Sequence, residues 1–114
     1  MLNRELSKSE WKPFFEDFSK KAKSRRVEIE VAGLDIGSQI SERWTTLEGL
    51  SYDPREDSFF VHMDVAEHQI LHPQAIWLQE GDDHEVKSLE IRDADGRNQI
   101  LKIKGDDGDR RTLH

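Results

Sequence analysis

The feature that most constrains this chain is a change of hydrophobic period near residue 26. Before it, Trp11, Phe14, Phe15, Phe18 and Ala22 recur at i, i+3, i+4, i+7 and i+11. That spacing puts four aromatic rings on one stripe of a helix over residues 9–24. Ser7 or Ser9 is placed to cap its start, and Pro13 fits only if the helix begins just before it. Glu16–Lys20 and Asp17–Lys21 stand four apart with the acid first, the favourable order on a solvated face. An aromatic stripe of this kind needs a flat or concave surface to cover.

After residue 26 the period is two. Val27, Ile29 and Val31 alternate with Glu28 and Glu30, the pattern of a half-buried strand. Ile36 to Trp44 and Leu47 to Tyr52 continue it, with bends expected at Gly37 and Gly49. Asp53-Pro54 opens a type I turn. A loop at Pro54–Asp57 then sets Tyr52 opposite Phe59 and Leu50 opposite Val61, apolar on apolar. Phe59, Val61 and Met63 face inward on that reading, while Phe60, His62 and Asp64 face the other way. Pro73 breaks the next stretch before Ala75–Leu78. The last hairpin, Val86–Arg92 with Asn98–Lys104, is expected to turn at Asp95-Gly96-Arg97. Ile91 would then face Leu101, Leu89 would face Ile103, and Glu90 would pair with Lys102.

These elements predict an α+β fold: an N-terminal amphipathic helix packed on a small, strongly curved antiparallel sheet of five to six strands, or on a partly open Sm-like barrel. Residues 1–104 read as one α+β domain and residues 105–114 as a disordered polar tail.

Several segments together resemble a known family. They are Glu10-Trp11-Lys12-Pro13-Phe14-Phe15, Gly33-Leu34-Asp35-Ile36-Gly37, Leu47-Glu48-Gly49-Leu50-Ser51-Tyr52-Asp53, His72-Pro73 ahead of Ile76-Trp77-Leu78, and Leu89-Glu90-Ile91 with Asp95-Gly96. The pattern is similar to a family of small bacterial proteins catalogued only as a domain of unknown function. The resemblance covers about residues 9–104 and rests on turn and core residues. It implies a fold and carries no activity, cofactor or catalytic residue.

Charge and composition narrow the function classes. The net charge of −7 divides into +4 over residues 1–26 and −11 over the rest. An acidic body repels phosphate backbones, which argues against broad nucleic-acid binding. The basic patch Lys20, Lys21, Lys23, Arg25 and Arg26 is the exception, and it offers an alternative reading as an Sm-like nucleic-acid-binding barrel. Its plain reading is a helix end, where cations complement the dipole. No cysteine is present, which removes disulfides and thiolate chemistry. No apolar run reaches the ~20 residues of a membrane helix and no secretory leader is visible, so a cytoplasmic protein without membrane contact is expected.

His62, Asp64, Glu67, His68 and His72 hold imidazoles and carboxylates suited to a divalent metal. On a strand, however, residues four apart lie about 13 Å apart. A metal-binding protein using the His62/His68/His72 region is therefore an alternative reading; no metal site is favoured and no cofactor is expected. Nucleophilic catalysis has no Gly-x-Ser-x-Gly elbow to support it, and a Ser–His–Asp grouping chosen from so many residues carries no weight. Catalytic residues are accordingly not assigned. Trp44, Phe60 and Trp77 are the aromatics placed to touch a protein partner or a second copy, Phe60 only if the helix leaves its face open. The function this supports is a non-enzymatic protein-interaction or ligand-binding module.

Overall fold

A computed structural model describes residues 2–21, 25–33, 37–81 and 85–105. The chain runs β1 (Leu2–Leu6), α1 (Lys8–Lys21), β2 (Arg25–Gly33), β3 (Gly37–Asp53), β4 (Ser58–Met63), β5 (Glu67–Leu71), β6 (Ala75–Glu80), β7 (Val86–Arg92) and β8 (Asn98–Gly105). The strands form one antiparallel sheet in the order β1-β6-β7-β8-β2-β3-β4-β5. The fold is α+β, with a larger sheet than the five to six strands expected, and the sheet is open, with β1 and β5 at its edges. Two elements account for the difference in size. In β1 the buried Leu6 follows exposed Asn3, Arg4 and Glu5, so the strand carries no readable alternation. β5 shows one buried position, Ile70.

Helix α1 starts after Ser7, whose amide is held by the Glu10 side chain, one half of a capping box. Glu10 Oε1 accepts from both the Ser7 amide and the Ser7 hydroxyl at 2.9 Å, and the Glu10 amide donates to the Ser7 carbonyl. Pro13 therefore lies inside the helix, contrary to the expected start beside it. The amide it lacks would have served the Ser9 carbonyl, and both residues are exposed, so water can reach that oxygen. The expected last turn to residue 24 falls outside the described residues beyond Lys21, as does the tail beyond Gly105; Gly105 itself ends β8.

The aromatic stripe faces the sheet. Trp11, Phe15 and Phe18 are buried, and Phe14 packs partly buried against the same core. Trp11 meets Tyr52 edge-on at 5.0 Å and Phe15 meets Phe59 at 4.9 Å. The Trp11 indole N–H donates to the Leu6 carbonyl at 3.1 Å, so its polar atom is satisfied within the core. Each such ring stabilises by roughly 2–3 kcal/mol on burial.

Register decides what reaches each face. β3 and β4 pair as the alternation predicts, Tyr52 with Phe59 and Leu50 with Val61. Between Leu47 and Gly49 the ladder shifts, leaving Glu48 as the extra residue of a bulge. At this point β3 has left β2, whose last partner on it is Leu47. The Ser19 hydroxyl takes over: it donates to the Leu50 carbonyl at 2.7 Å and accepts from the Leu50 amide at 2.9 Å. Gly49 permits the approach, since a β-carbon there would stand 3.1 Å from the Ser19 oxygen.

The last hairpin departs from expectation by two residues. Leu89 pairs with Leu101, Glu90 with Ile100 and Arg92 with Asn98. The cause is Asp93, which is buried and whose Oδ1 accepts from the Asp95 and Arg97 amides. Gly96 closes this turn with a φ of +81°. A slip of two keeps every residue on its face, so the core is unaffected. The expected Glu90–Lys102 pair is absent; Lys102 Nζ instead lies 3.9 Å from both Glu28 and Glu30.

Two stability outcomes follow. Trp11→Ala removes a ring wedged between Leu6 and Tyr52 and should cost about 3–5 kcal/mol in urea unfolding. Asp93→Ala strips the acceptor from two backbone donors and the Gln99 amide, and should cost about 2 kcal/mol in the same measurement. An Asp93 variant as stable as the parent would show that the turn forms without its carboxylate.

Candidate functional site

The outer face of β3, β4 and β5 holds the residues that alternate away from the core. Ser51 stands opposite Phe60 across β3–β4, and His62 stands opposite Glu67 across β4–β5. Because α1 lies along β3 where β2 has left it, the exposed side of the helix forms a wall beside this face. Two hollows result. One, about 720 Å³, includes Lys12, Ser51, Arg55, Phe60, His62 and Glu67 in its lining. The other, about 520 Å³, includes Glu16, Ser19, Lys20, Glu48, Ser51 and His62. Sharing Ser51 and His62, they adjoin as one open groove. Volumes of this size suit a small organic ligand.

At the join the side chains are in a fixed order. Ser51 Oγ lies 2.9 Å from His62 Nε2, and His62 Nδ1 lies 2.8 Å from Glu67 Oε2. The Phe60 ring stacks on the imidazole at 5.9 Å and an interplanar angle of 16°. Lys12 pairs with Glu16 at 2.6 Å. Chain order conceals this arrangement, because it depends on two hairpin registers at once. The alternation that sets Tyr52 opposite Phe59 already places Ser51 and Phe60 together on the outer face, and that was the available signal.

A second polar node sits at the groove's end. Asp57 Oδ1 accepts from the Tyr52 hydroxyl at 2.6 Å and lies 3.7 Å from Lys8 Nζ. Its Oδ2 lies 3.3 Å from His72 Nδ1, and the His72 amide donates to the Asp57 carbonyl at 2.8 Å. Asp57 and His72 both hold positive φ, 49° and 52°, at the ends of their turns. The Tyr52 hydrogen bond, ahead of His72 and Lys8, holds the Asp57 carboxyl below the usual carboxylate range. Burial, then the neighbouring Asp57 carboxylate, pushes the Tyr52 hydroxyl up to about 12.

The histidines considered as metal ligands are engaged separately. His62 belongs to the groove, His72 to Asp57, and His68 Nε2 lies 2.7 Å from Gln99 Oε1 on β8. Asp64 is exposed in the β4–β5 turn. Among the described residues no group of three or more His, Asp or Glu side chains is arranged to hold a metal ion. In the basic patch, Lys20 is exposed on the groove wall, while Lys21 lies 3.2 Å from Asp17. Arg25 donates to the Val86 carbonyl at 2.8 Å and stands over Phe18. Arg26 is half-buried on β2, and Lys23 lies outside the described residues. Trp44 and Trp77 are half-buried beneath Lys104 and Arg92, at 4.3 and 5.1 Å. Of the three aromatics considered for partner contact, Phe60 alone lines the groove. No helix among the described residues is long and apolar enough to cross a membrane.

This helix-walled, open antiparallel sheet matches a family of unknown function, DUF5335, over residues 2–109, and the chain belongs to that family. It is 33% identical over 105 residues to an uncharacterized protein of Aquifex aeolicus (strain VF5), covering 91% of this chain and 94% of that one. No solved structure matches it.

Asp57 and Tyr52 contribute to the pH response at opposite ends, Asp57 alongside Glu10 and Glu16, whose carboxyls are likewise held low. A carboxyl held low in the folded state contributes stability above the ordinary carboxylate range, lost as pH falls through its folded value. A phenol held high contributes stability that is whole below pH ~10 and lost as pH rises toward about 12. Urea midpoints should therefore fall at both extremes. Tyr52→Phe should flatten the alkaline limb, and Asp57→Asn should flatten the acid one.

Proposed function

We propose that this protein is a ligand-binding module whose ligand lies in the groove between α1 and the outer face of β3 and β4. The observation that carries the reading is the half-exposed Phe60 of the larger hollow, stacked on His62 at the join. An apolar ring inside a concave site offers a surface for the body of a small organic ligand. Arg55 lines the same groove and is exposed, with its backbone amide held by Asp53 Oδ1 at 2.9 Å. Its guanidinium suits a carboxylate, a geometry a lysine does not reproduce. The ligand class is thus an organic acid or acyl compound with an apolar body for Phe60 and an anionic end for Arg55.

A second reading, protein interaction by strand addition, has its own support at the other side of β5. That strand is a sheet edge, and Val65 and Leu71 at its ends are 72% and 56% exposed. A partner strand there would slow exchange of the Glu67–Leu71 amides.

Titration of isotopically labelled protein with 3-phenylpropionate tests the first reading. Amide signals of Ser51, Arg55, Phe60 and His62 should move together. Phe60→Ala or Arg55→Ala should weaken binding about tenfold, close to 1.4 kcal/mol. Shifts confined to other faces would overturn it.

A further inference from the structure

The order of atoms at the bottom of the groove supports more than binding. Glu67 Oε2, 2.8 Å from His62 Nδ1, accepts the proton on that nitrogen and so favours the tautomer with its lone pair on Nε2. Ser51 Oγ is 2.9 Å from His62 Nε2, and in that tautomer its hydroxyl is the donor. A nucleophile against a base, and the base oriented by a third group, is the arrangement that activates a serine, on whatever fold and in whatever chain order it occurs. Three strands supply the three residues, and each is fixed by main-chain pairing: Ser51 opposite Phe60, and His62 opposite Glu67. The stack on Phe60 restrains the imidazole further. We infer that Ser51, His62 and Glu67 form a nucleophilic site that cleaves small carboxylic esters through an acyl-serine.

The step balances without a cofactor. As Ser51 Oγ bonds to the ester carbonyl carbon, its proton passes to His62 Nε2. The carbon–oxygen bond to the alcohol portion then breaks, and His62 returns the proton to the departing oxygen. Water, losing a proton to Nε2, attacks the acyl-serine and releases the carboxylic acid with Ser51 restored. Arg55 lines the same hollow, while Lys12, also in its lining, is paired with Glu16. Glu67 is a positioning residue: it holds the tautomer and touches no substrate. The side chains of His62 and Glu67 are 38% and 54% exposed, which lets water enter for the second step and limits the rate of the first.

The site shares its groove and the Phe60–His62 stack with the proposed ligand, but its test turns on Ser51. An acetyl group needs Ser51 and His62, whereas the binding reading needs Phe60 and Arg55. Reaction with p-nitrophenyl acetate and with a short-chain fluorophosphonate tests it, the latter losing fluoride as the serine oxygen bonds to phosphorus. Mass mapping should place the phosphonyl adduct on Ser51. Ser51→Ala, shown by thermal unfolding to be folded, should lose the adduct, and its ester turnover should fall about 10²-fold, as should that of His62→Ala. Glu67→Gln should lower the acylation rate while the half-saturating ester concentration stays unchanged. An adduct on another residue, or turnover undiminished in folded Ser51→Ala, would overturn the inference. Phenylpropionate binding retained in Ser51→Ala would at the same time show that the binding reading stands without it.

Discussion

The contact between the α1 stripe and the β3–β4 hairpin is the constraint from which the remaining structure follows. Trp11 against Tyr52 and Phe15 against Phe59 set the position of the helix along the sheet. Rings meeting edge to face have a preferred geometry as well as a large area, so the helix has little freedom to slide. Once it is placed, its exposed side becomes a wall, and the outer face of the hairpin becomes the floor of a groove. Without that docking Ser51, Phe60 and His62 would sit on an ordinary solvated sheet surface.

The same contact divides labour between the two faces of one hairpin. Tyr52 and Phe59 point inward and bind the helix, while Ser51 and Phe60, one residue along on each strand, point outward into the groove. A strand's period of two makes this separation automatic. Structural and functional requirements therefore fall on neighbouring residues without competing for them. Asp57, at the turn, belongs to both. Its two oxygens hold a core tyrosine and a surface histidine, so the groove's end inherits the rigidity of the core.

Where side-chain alternation alone decides a pairing, the sequence is readable. Tyr52–Phe59 and Leu50–Val61 follow from matching apolar residues around a short turn, and the structure has that register. The final hairpin is legible in its faces but not in its pairing, because a buried Asp93 carboxylate draws two amides into the turn and moves the ladder by two. β1 carries too little apolar pattern to be read, since Asn3, Arg4 and Glu5 separate Leu2 from Leu6 along the chain. The groove's polar chain was less legible still. Ser51 is unremarkable at its spacing, His62 and Glu67 stand out only as part of the metal-type cluster, and two successive strand registers bring the three together. The histidine cluster that did stand out in the sequence is dispersed among three different partners.

The Ser19 hydroxyl has a consequence that reaches beyond helix docking. It occupies the Leu50 amide and carbonyl, main-chain groups that β2 leaves unpaired when it parts from β3. Any excursion that lifts the helix uncovers a stretch of ladder in mid-sheet, next to apolar rings released together with it. Such an opening would leave unpaired main-chain groups beside the Glu48 bulge, the kind of surface a foreign strand can pair with. A single serine hydroxyl thus stands in for a missing strand along that seam.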